Sequence, residues 1–422
     1  MSVFPGAGKP QKKWRGIAEI RNLKCNKMEL QLWNKKCGNV FLLILCLLLT
    51  CCKNNNTSND LIVFDVTASF PVKTLDIAEV ADLEYVVLDI SDDDYLFRFF
   101  YAMTDSFIIC ERNNEVLFFS RSTGKPVSKL NRYGQGPGEY VNSLSPVYSE
   151  IKDELFIRDG NEIKVYGRDG TFKRKFTLME DLRSFPFYTY RLFDYDEEHL
   201  LLYGFPARLF VAQSDDSMKD TSFMLVSKQD GLKEVIPIPF ESRISIVFQQ
   251  GLAGTFAEVS PAIRNGNDFL LTDYSSDTVY RFTPDRQLIP VLVREPSIQK
   301  MQTKIFLHSW LETGRYLFFS TQKIDLDWNT QKWPPEKGYL MEKNSGKFFQ
   351  THIQMRDFKG YELILGPSVI HNLPNEHTGI IVWNTLELHT ANSEGKLSGK
   401  LKEVTDRLTE DDERVFMILT FK

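Results

Sequence analysis

The residues able to carry chemistry are scattered. The six histidines are His199, His308, His352, His371, His377 and His389. Metal-binding histidines recur at i, i+4 on a helix or close together on a strand, and no pair here has that spacing. His371 and His377 flank Asn372-Leu373-Pro374-Asn375-Glu376, a loop that suits a channel end. Acidic runs stand at Asp92-Asp93-Asp94, Asp194-Tyr195-Asp196-Glu197-Glu198, Asp215-Asp216 and Glu410-Asp411-Asp412-Glu413. A calcium loop needs alternating oxygen ligands and a tight glycine turn, which none of them offers, so they read as solvated loop charge. No G-x-S-x-G nucleophile elbow occurs. A glycosidase acid pair is defined by its separation in space and is not readable from sequence. The expectation is therefore no metal, no cofactor and no evident catalytic set.

Two loops have a composition suited to binding. Asn131-Arg132-Tyr133-Gly134-Gln135-Gly136-Pro137-Gly138-Glu139-Tyr140 places three glycines at alternate positions beside a proline, which forces a tight, irregular backbone. It lacks the Lys-Ser/Thr of a phosphate loop and reads first as a shaped inter-blade loop, with a channel-lining role as the functional alternative. Asp325-Leu326-Asp327-Trp328-Asn329-Thr330-Gln331-Lys332-Trp333-Pro334-Pro335 carries two tryptophans that suit stacking on a sugar, or equally capping a blade core. Tyr133, Gln135, Glu139, Tyr140, Trp328, Trp333 and His371 are the candidate channel or ligand residues. Arg208, Arg243 and Arg264 sit in loop-like surroundings suited to anions.

The elements that must position these loops are strands. After residue 60 the chain shows short β-branched and aromatic runs bounded by Gly, Asn, Asp and Pro, the pattern of an all-β fold. Segments beginning at Ile109, Phe156 and Leu271 overlay as strand, polar turn, strand, with partial copies at Ser222 and Gly338. Turn pairs Asn113-Asn114, Asp159-Gly160, Asp169-Gly170, Asp230-Gly231 and Ser275-Ser276 suit two-residue hairpins. The equivalent positions are Glu115, Glu162, Ser222, Asp277 and Gly338, on average about 56 residues apart, the size of a propeller blade. Dividing residues 62–422 by that spacing predicts six blades. The expected fold is all-β: a six-bladed β-propeller of four-stranded antiparallel blades, closed by pairing Leu83–Leu88 with the terminal strand Arg414–Phe421. Two stacked β-sandwiches are the competing fold, but they do not predict the regular spacing.

The N-terminus reads as an address. Lys35-Lys36, the apolar run 40–50 (VFLLILCLLLT) and the pair Cys51-Cys52 form a basic, apolar and processing region in order. The run is too short for a spanning helix, which needs about 20 residues. An uncleaved signal anchor is the alternative. Residues 1–51 are thus a leader, with 28–51 the signal peptide if Met28 is the start and 1–27 spurious. Residues 52–61 are a polar tether. Of the 51 Lys and Arg, 9 lie in residues 1–52, with 2 of the 56 Asp and Glu; the remainder holds 42 and 54, a net charge of −12. So acidic a body does not suit nonspecific nucleic-acid binding. Five of the six cysteines lie within residues 1–52. Cys110, within Phe107-Ile108-Ile109-Cys110, is expected to be a buried small hydrophobe with no disulfide partner in the body.

The segment Gly134-Gln135-Gly136-Pro137-Gly138-Glu139-Tyr140 resembles the G-x-G-P-G-E-Y signature of six-bladed, NHL-like β-propeller lipoproteins abundant in Bacteroidetes. The resemblance extends from Tyr85-Val86-Val87-Leu88 and its acidic sequel to Glu410-Asp411-Asp412 before the last strand, where Glu413-Arg414 replaces the Asn-Pro often found. The Cys51-Cys52 pair is similar to a lipobox, in which one of the two cysteines is acylated. The resemblance implies an exported lipoprotein of no established activity, and it supplies no catalytic residues. The expected protein is a lipid-anchored binding or scaffold module of the cell envelope, on the periplasmic face of the outer membrane because Lys53-Asn54-Asn55-Asn56 is not acidic. A glycan or protein is its expected ligand. A carbohydrate lyase or hydrolase with its site at one channel end is the alternative.

Overall fold

The computed structural model describes residues 61–91, 93–160, 162–178, 187–206, 221–251, 253–257, 259–366, 378–409 and 414–422. Residues 1–60, with the leader, most of the tether, Cys51 and Cys52, lie outside them, as do Arg208, His371, His377 and Glu410–Asp412.

The chain opens with β1 (Ile62–Asp65), β2 (Val72–Asp76), the short helix α1 (Ile77–Val80) and β3 (Ala81–Val87). Five antiparallel sheets follow in sequence. The first holds β4 (Phe99–Met103), β5 (Phe107–Arg112), β6 (Glu115–Ser120) and β7 (Pro126–Leu130). The second holds β8 (Leu144–Ser149), β9 (Glu154–Asp159), β10 (Glu162–Tyr166) and β11 (Phe172–Thr177). The third holds β12 (Phe187–Asp194), β13 (His199–Pro206), β14 (Phe223–Ser227) and β15 (Lys233–Ile236). A separate ribbon of β16 (Val247–Gln250) and β17 (Ala253–Phe256) comes next. The fourth sheet holds β18 (Ala262–Asn265), β19 (Asp268–Thr272), β20 (Thr278–Phe282) and β21 (Leu288–Glu295). The fifth holds β22 (Ile305–Glu312), β23 (Tyr316–Lys323), β24 (Lys337–Glu342) and β25 (Phe348–Met355), with β26 (Phe358–Leu363) paired to β25. The chain ends with β27 (Thr378–Asn384), helices α2 (Thr385–Ser393) and α3 (Gly399–Thr405), and β28 (Arg414–Phe421).

The fold is thus an all-β propeller with five blades of four strands, not six. The five equivalent positions found in the sequence each fall at or beside the start of a blade's third strand: β6, β10, β14, β20 and β24. The sixth copy rested on chain length alone. The residues assigned to it make only β27 and β28, because about thirty residues between them hold α2 and α3 instead of strands. β3 completes a three-stranded sheet by pairing with β28 from Ala81↔Phe421 to Val87↔Val415.

Both faces of each blade are buried, which explains the near-continuous apolar runs. In β5, Ile108 and Cys110 pack in one cluster and Ile109 in another. In β9, Leu155 and Ile157 face the first blade while Phe156 faces the third. In β28, Val415, Met417 and Leu419 join the core with the fifth blade, whereas Phe416 and Ile418 pack with Ile108, Leu117 and Phe119 of the first. The period of two therefore distributes side chains between neighbouring sheets, not between core and solvent. Cys110 is a buried free thiol, as its run suggested, and burial pushes its pKa up.

The segment 62–87 laces three sheets together. β1 adds in parallel to β21 (Ile62↔Leu292 to Asp65↔Glu295) and β2 in parallel to β25 (Val72↔Gln350 to Asp76↔Gln354). Asp76 then caps α1 by accepting from Ala78 N at 2.9 Å, and β3 follows. The anchor is Phe64, fully buried, with ring centroids 4.6 Å from Phe319, 5.2 Å from Tyr339 and 5.2 Å from Phe348. Truncating such a ring leaves a cavity as well as losing burial, typically costing about 3–5 kcal/mol. Phe64→Ala is expected to lower unfolding free energy by that amount in urea titration. A loss below about 1 kcal/mol would show that the strap is not part of the cooperative unit.

Candidate functional site

The glycine-rich loop is structural. Gly134 N donates to Tyr140 O at 3.0 Å, Tyr140 N to Arg132 O at 2.9 Å, and Gly136 N to Glu139 Oε2 at 2.8 Å. The Glu139 carboxylate thus folds back over the loop, and a Cβ at Gly134 would collide with it. Gly138 has φ +85°, and a Cβ there would lie 2.9 Å from the Phe172 ring. Tyr140 is fully buried, packs edge-on against Tyr166, and donates its hydroxyl to Asn114 O at 2.6 Å. Burial raises its pKa to about 12. Lys164 holds Glu139 O and sits 2.6 Å from Asp159. Gly138, Glu139 and Tyr140 therefore tie the first blade to the second. Asn131, Arg132, Tyr133, Gln135 and Pro137 are exposed, and none of them lines the two large cavities described below.

The tryptophan loop connects β23 and β24. Trp328 and Trp333 are both half-buried, and Trp333 stacks edge-on against Phe248 of the β16–β17 ribbon at 5.3 Å. It caps that ribbon and does not present an open sugar platform. Arg243 is also structural: it pairs with the buried Asp273 at 3.2 Å and donates to Thr221 O at 2.9 Å.

What the sequence missed is a cavity of about 570 Å³ where the first strands of four consecutive blades, β4, β8, β12 and β18, end together. In the first three, a bulge interrupts pairing with the second strand part-way along: Phe100/Ala102, Leu144/Val147 and Thr189/Arg191. Bulges of this kind bend and re-aim a strand. The walls are apolar, including Met103, Val147, Ile263 and Phe269. The rim carries Asp105, Glu150, Asp194, Asp196 and Glu197 against one guanidinium, Arg264. The run 194–198, read from sequence as solvated charge, is thus part of a cavity rim. Its only sequence signal was that charge persists immediately after a buried strand.

Two cations, the buried Lys228 and the half-buried Arg264, set the rim's geometry from behind. The Lys228 ammonium lies 2.5 Å from Asp194 Oδ1 and 2.5 Å from Asp196 O. Arg264 donates to Asp194 O and to Tyr195 O, the latter at 3.0 Å, while lying over the Phe269 ring at 4.6 Å. The tyrosines of the lining point their hydroxyls elsewhere. Tyr148 donates to Asp153 at 2.7 Å and Tyr195 to Thr283 O at 3.0 Å. Burial raises both pKa values, that of Tyr195 to about 12. Burial alone would raise Glu150, but hydrogen bonds from Ser106 and Thr104 outweigh it and hold the carboxylate below its usual range. Carboxylates, a tyrosine and an arginine do converge at one channel end, the arrangement an enzyme would need. Yet the phenols are committed donors, the guanidinium is spent on backbone carbonyls, and Glu150 is ionised at neutral pH. The set binds charge better than it transfers protons.

A second cavity, about 530 Å³, lies between β25, β26 and the turn from α2 to α3. Its charges are internally paired: His352 with Glu362 at 2.8 Å, and Arg356 with Asp76. Among the described residues no three His, Cys, Asp or Glu side chains are grouped to hold a metal.

A family model described as "Domain of unknown function (DUF4934)" matches residues 61–420. No curated protein matches the chain. Among solved structures, that of a "Putative exported protein" from Bacteroides fragilis is 16% identical, covering 86% of this chain and 99% of its own, with a TM-score of 0.56. A virginiamycin B lyase from Staphylococcus aureus is 8% identical over 80% of this chain and 99% of its own, with a TM-score of 0.35, too low to carry an argument. The first likeness shows a shared fold.

The one fully buried histidine described, His308, makes a measurable pH signature. Its Nδ1 lies 3.2 Å from the Tyr274 hydroxyl, which accepts from Ser260 N at 2.9 Å. Burial drops its pKa from 6.5 to about 3. A group whose folded pKa is depressed stabilises the fold fully above its unfolded value and loses that contribution as pH falls. The loss runs from pH 6.5 toward 3, at a slope of at most about 1.4 kcal/mol per pH unit. His308→Gln is expected to flatten the acid limb of unfolding free energy between pH 6.5 and 4.5 in denaturant titrations; an unchanged slope would place the acid sensitivity elsewhere.

Proposed function

The chain belongs to the DUF4934 family of unknown function, and from that premise we propose that it is an exported binding module whose ligand sits in the cavity at the ends of β4, β8, β12 and β18. One observation carries this reading. Residues from four blades, far apart in sequence, converge on a single walled cavity whose acidic run is held in place by the buried Lys228 and by Arg264. Ligand sites favour such concave, mostly apolar spaces with a few fixed polar groups. In this reading the β27–β28–β3 sheet closes the propeller ring, supported by the core that Phe416 and Ile418 share with the first blade. A rigid ring is a scaffold on which loops at strand ends carry recognition. The cavity, about 570 Å³, has the size of a small-molecule site, so a glycan or protein ligand would enter it through a sugar unit or a side chain. Hydrolase or lyase chemistry is the weaker reading, since the cavity's phenols and guanidinium are already committed.

Export and anchoring rest on the leader. Lys35-Lys36, the apolar run 40–50 and Cys51-Cys52 support a lipoprotein signal, with one of the two cysteines acylated and the ring tethered to the envelope, on the periplasmic face of the outer membrane. The bearer of the similar fold in Bacteroides fragilis, named as exported, agrees with that address. Among the described residues no helix is long and apolar enough to cross a membrane.

Two experiments test the reading. Asn267→Trp places an indole at the exposed cavity rim. In a screen spanning glycans, peptides and amines, a hit is expected to lose at least tenfold in affinity in this variant while thermal melting is unchanged. Hits indifferent to it would move the ligand site elsewhere. For the anchor, metabolic labelling with a fatty acid is expected to vanish in the Cys51→Ala/Cys52→Ala double variant and processing to stop with globomycin. Persistent labelling would exclude acylation at this pair.

A further inference from the structure

We propose that the ligand of the axial cavity is an organic polycation, a flexible aliphatic body bearing two or more ammonium groups. The inference rests on the cavity being the ligand site and assigns the chemistry of what enters it.

The cavity combines two features that favour different parts of such a molecule. Its walls, with Ala102, Met103, Val147, Phe193, Ile263 and Phe269, match methylene groups. Its rim is acidic in three sectors, because Asp105, Glu150 and the Asp194–Glu197 run follow the first strands of three successive blades. Some of that charge is already answered. Lys228 takes one oxygen of Asp194, Arg121 lies 3.8 Å from Asp105, and His199 Nδ1 lies 3.0 Å from Asp196. Glu150 and Glu197 have no Lys or Arg partner among the described residues, and Glu150 is held ionised beside an apolar wall. The one guanidinium of the lining is turned to the carbonyls of Asp194 and Tyr195. An anion entering here meets carboxylates, whereas a cleft lined by one sign of charge over apolar walls concentrates counter-ions. A cation is therefore selected by charge.

The spacing then decides between kinds of cation. A divalent metal needs several oxygens converging on one point within about 2.3–2.6 Å. Among the described residues no group of three acidic or imidazole side chains does so. Carboxylates spread around a rim, over an apolar wall, suit separated ammonium groups joined by an aliphatic chain. A volume of about 570 Å³ accommodates such a chain. Free polyamines and the lysine side chains of a peptide share this chemistry.

The test is calorimetric titration of the full acylated chain in detergent with spermidine, trilysine, calcium chloride and a neutral oligosaccharide. Spermidine or trilysine is expected to bind, with affinity falling as sodium chloride rises, and calcium is not. Binding of trilysine alone assigns the chemistry to a lysine-bearing peptide. Glu150→Gln/Glu197→Gln is expected to weaken binding at least tenfold and Glu197→Lys to weaken it too, the latter with an unchanged melting temperature because Glu197 is exposed. No binding by either amine, or binding that the charge variants leave intact, overturns the proposal. The cavity and its ligand class fail separately. A neutral oligosaccharide that binds and is displaced by Asn267→Trp keeps the site and sinks the polycation. An amine whose binding ignores Asn267→Trp sinks both.

Discussion

A blade that is apolar on both faces has no stable existence alone. The run Val116-Leu117-Phe118-Phe119 sends Leu117 and Phe119 to one side and Val116 and Phe118 to the other, and all four are fully buried. Every sheet therefore requires a neighbour on each side, and a linear stack always leaves two faces wet. In keeping with this constraint, β3 and β28 lie in one sheet whose side chains pack with those of the fifth blade and of the first. The constraint also explains the strap. β1 and β2 cover the outer edges of two blades with parallel strands, a pairing that removes open edges and drives Phe64 into an aromatic box. The N-terminal segment thus acts on three consecutive sheets before the first blade begins.

Much of this was legible in the sequence because it is local. Asn113 and Asn114 adopt positive φ values of 50° and 69°, as a two-residue hairpin of that composition requires. Three of the five spaced positions, Glu115, Glu162 and Asp277, marked third strands because each follows a two-residue polar turn. The terminal strand Arg414–Phe421 was visible as an unbroken apolar run, and it is apolar for the reason above. The blade count failed where regularity was extrapolated. Asn384 caps α2 through Leu386 N, and that helix diverts the chain from the strand that length arithmetic assumed. An average spacing carries no information about a segment that does not repeat.

The site was illegible for the opposite reason. Asp105, Glu150, the Asp194–Glu197 run and Arg264 are separated by tens of residues, and each stands in a segment that by itself reads as a polar loop. Only the register of four blades brings them together, and only burial distinguishes Lys228, a lysine in a strand-end turn, from a solvated one. The candidates chosen by composition were selected for glycine, proline and aromatic content. Those properties mark shaped loops, and in Tyr140 and Trp333 they serve packing.

The contrast between the two loop classes bears on function. The Gly134–Tyr140 loop is constrained at nearly every position: a Cβ at Gly138 meets Phe172, the Glu139 carboxylate closes on Gly136 N, and the Tyr140 hydroxyl is spent on Asn114 O. A loop so determined by its neighbours cannot change sequence without loss of packing, so it is a signature of the fold and has no freedom to encode a ligand. The rim residues have the reverse character. Glu197 is exposed and supports no core, so replacing it alters charge while leaving the blades intact, whereas Glu150 also accepts from Ser106 N of the first blade. Lys228 and Arg264 lie between these extremes, since they hold the rim's backbone to the blades while contributing little of their own charge to the opening. Recognition on this scaffold therefore has a physical place to vary, at the strand ends around the cavity, without any cost to the packing that builds the ring.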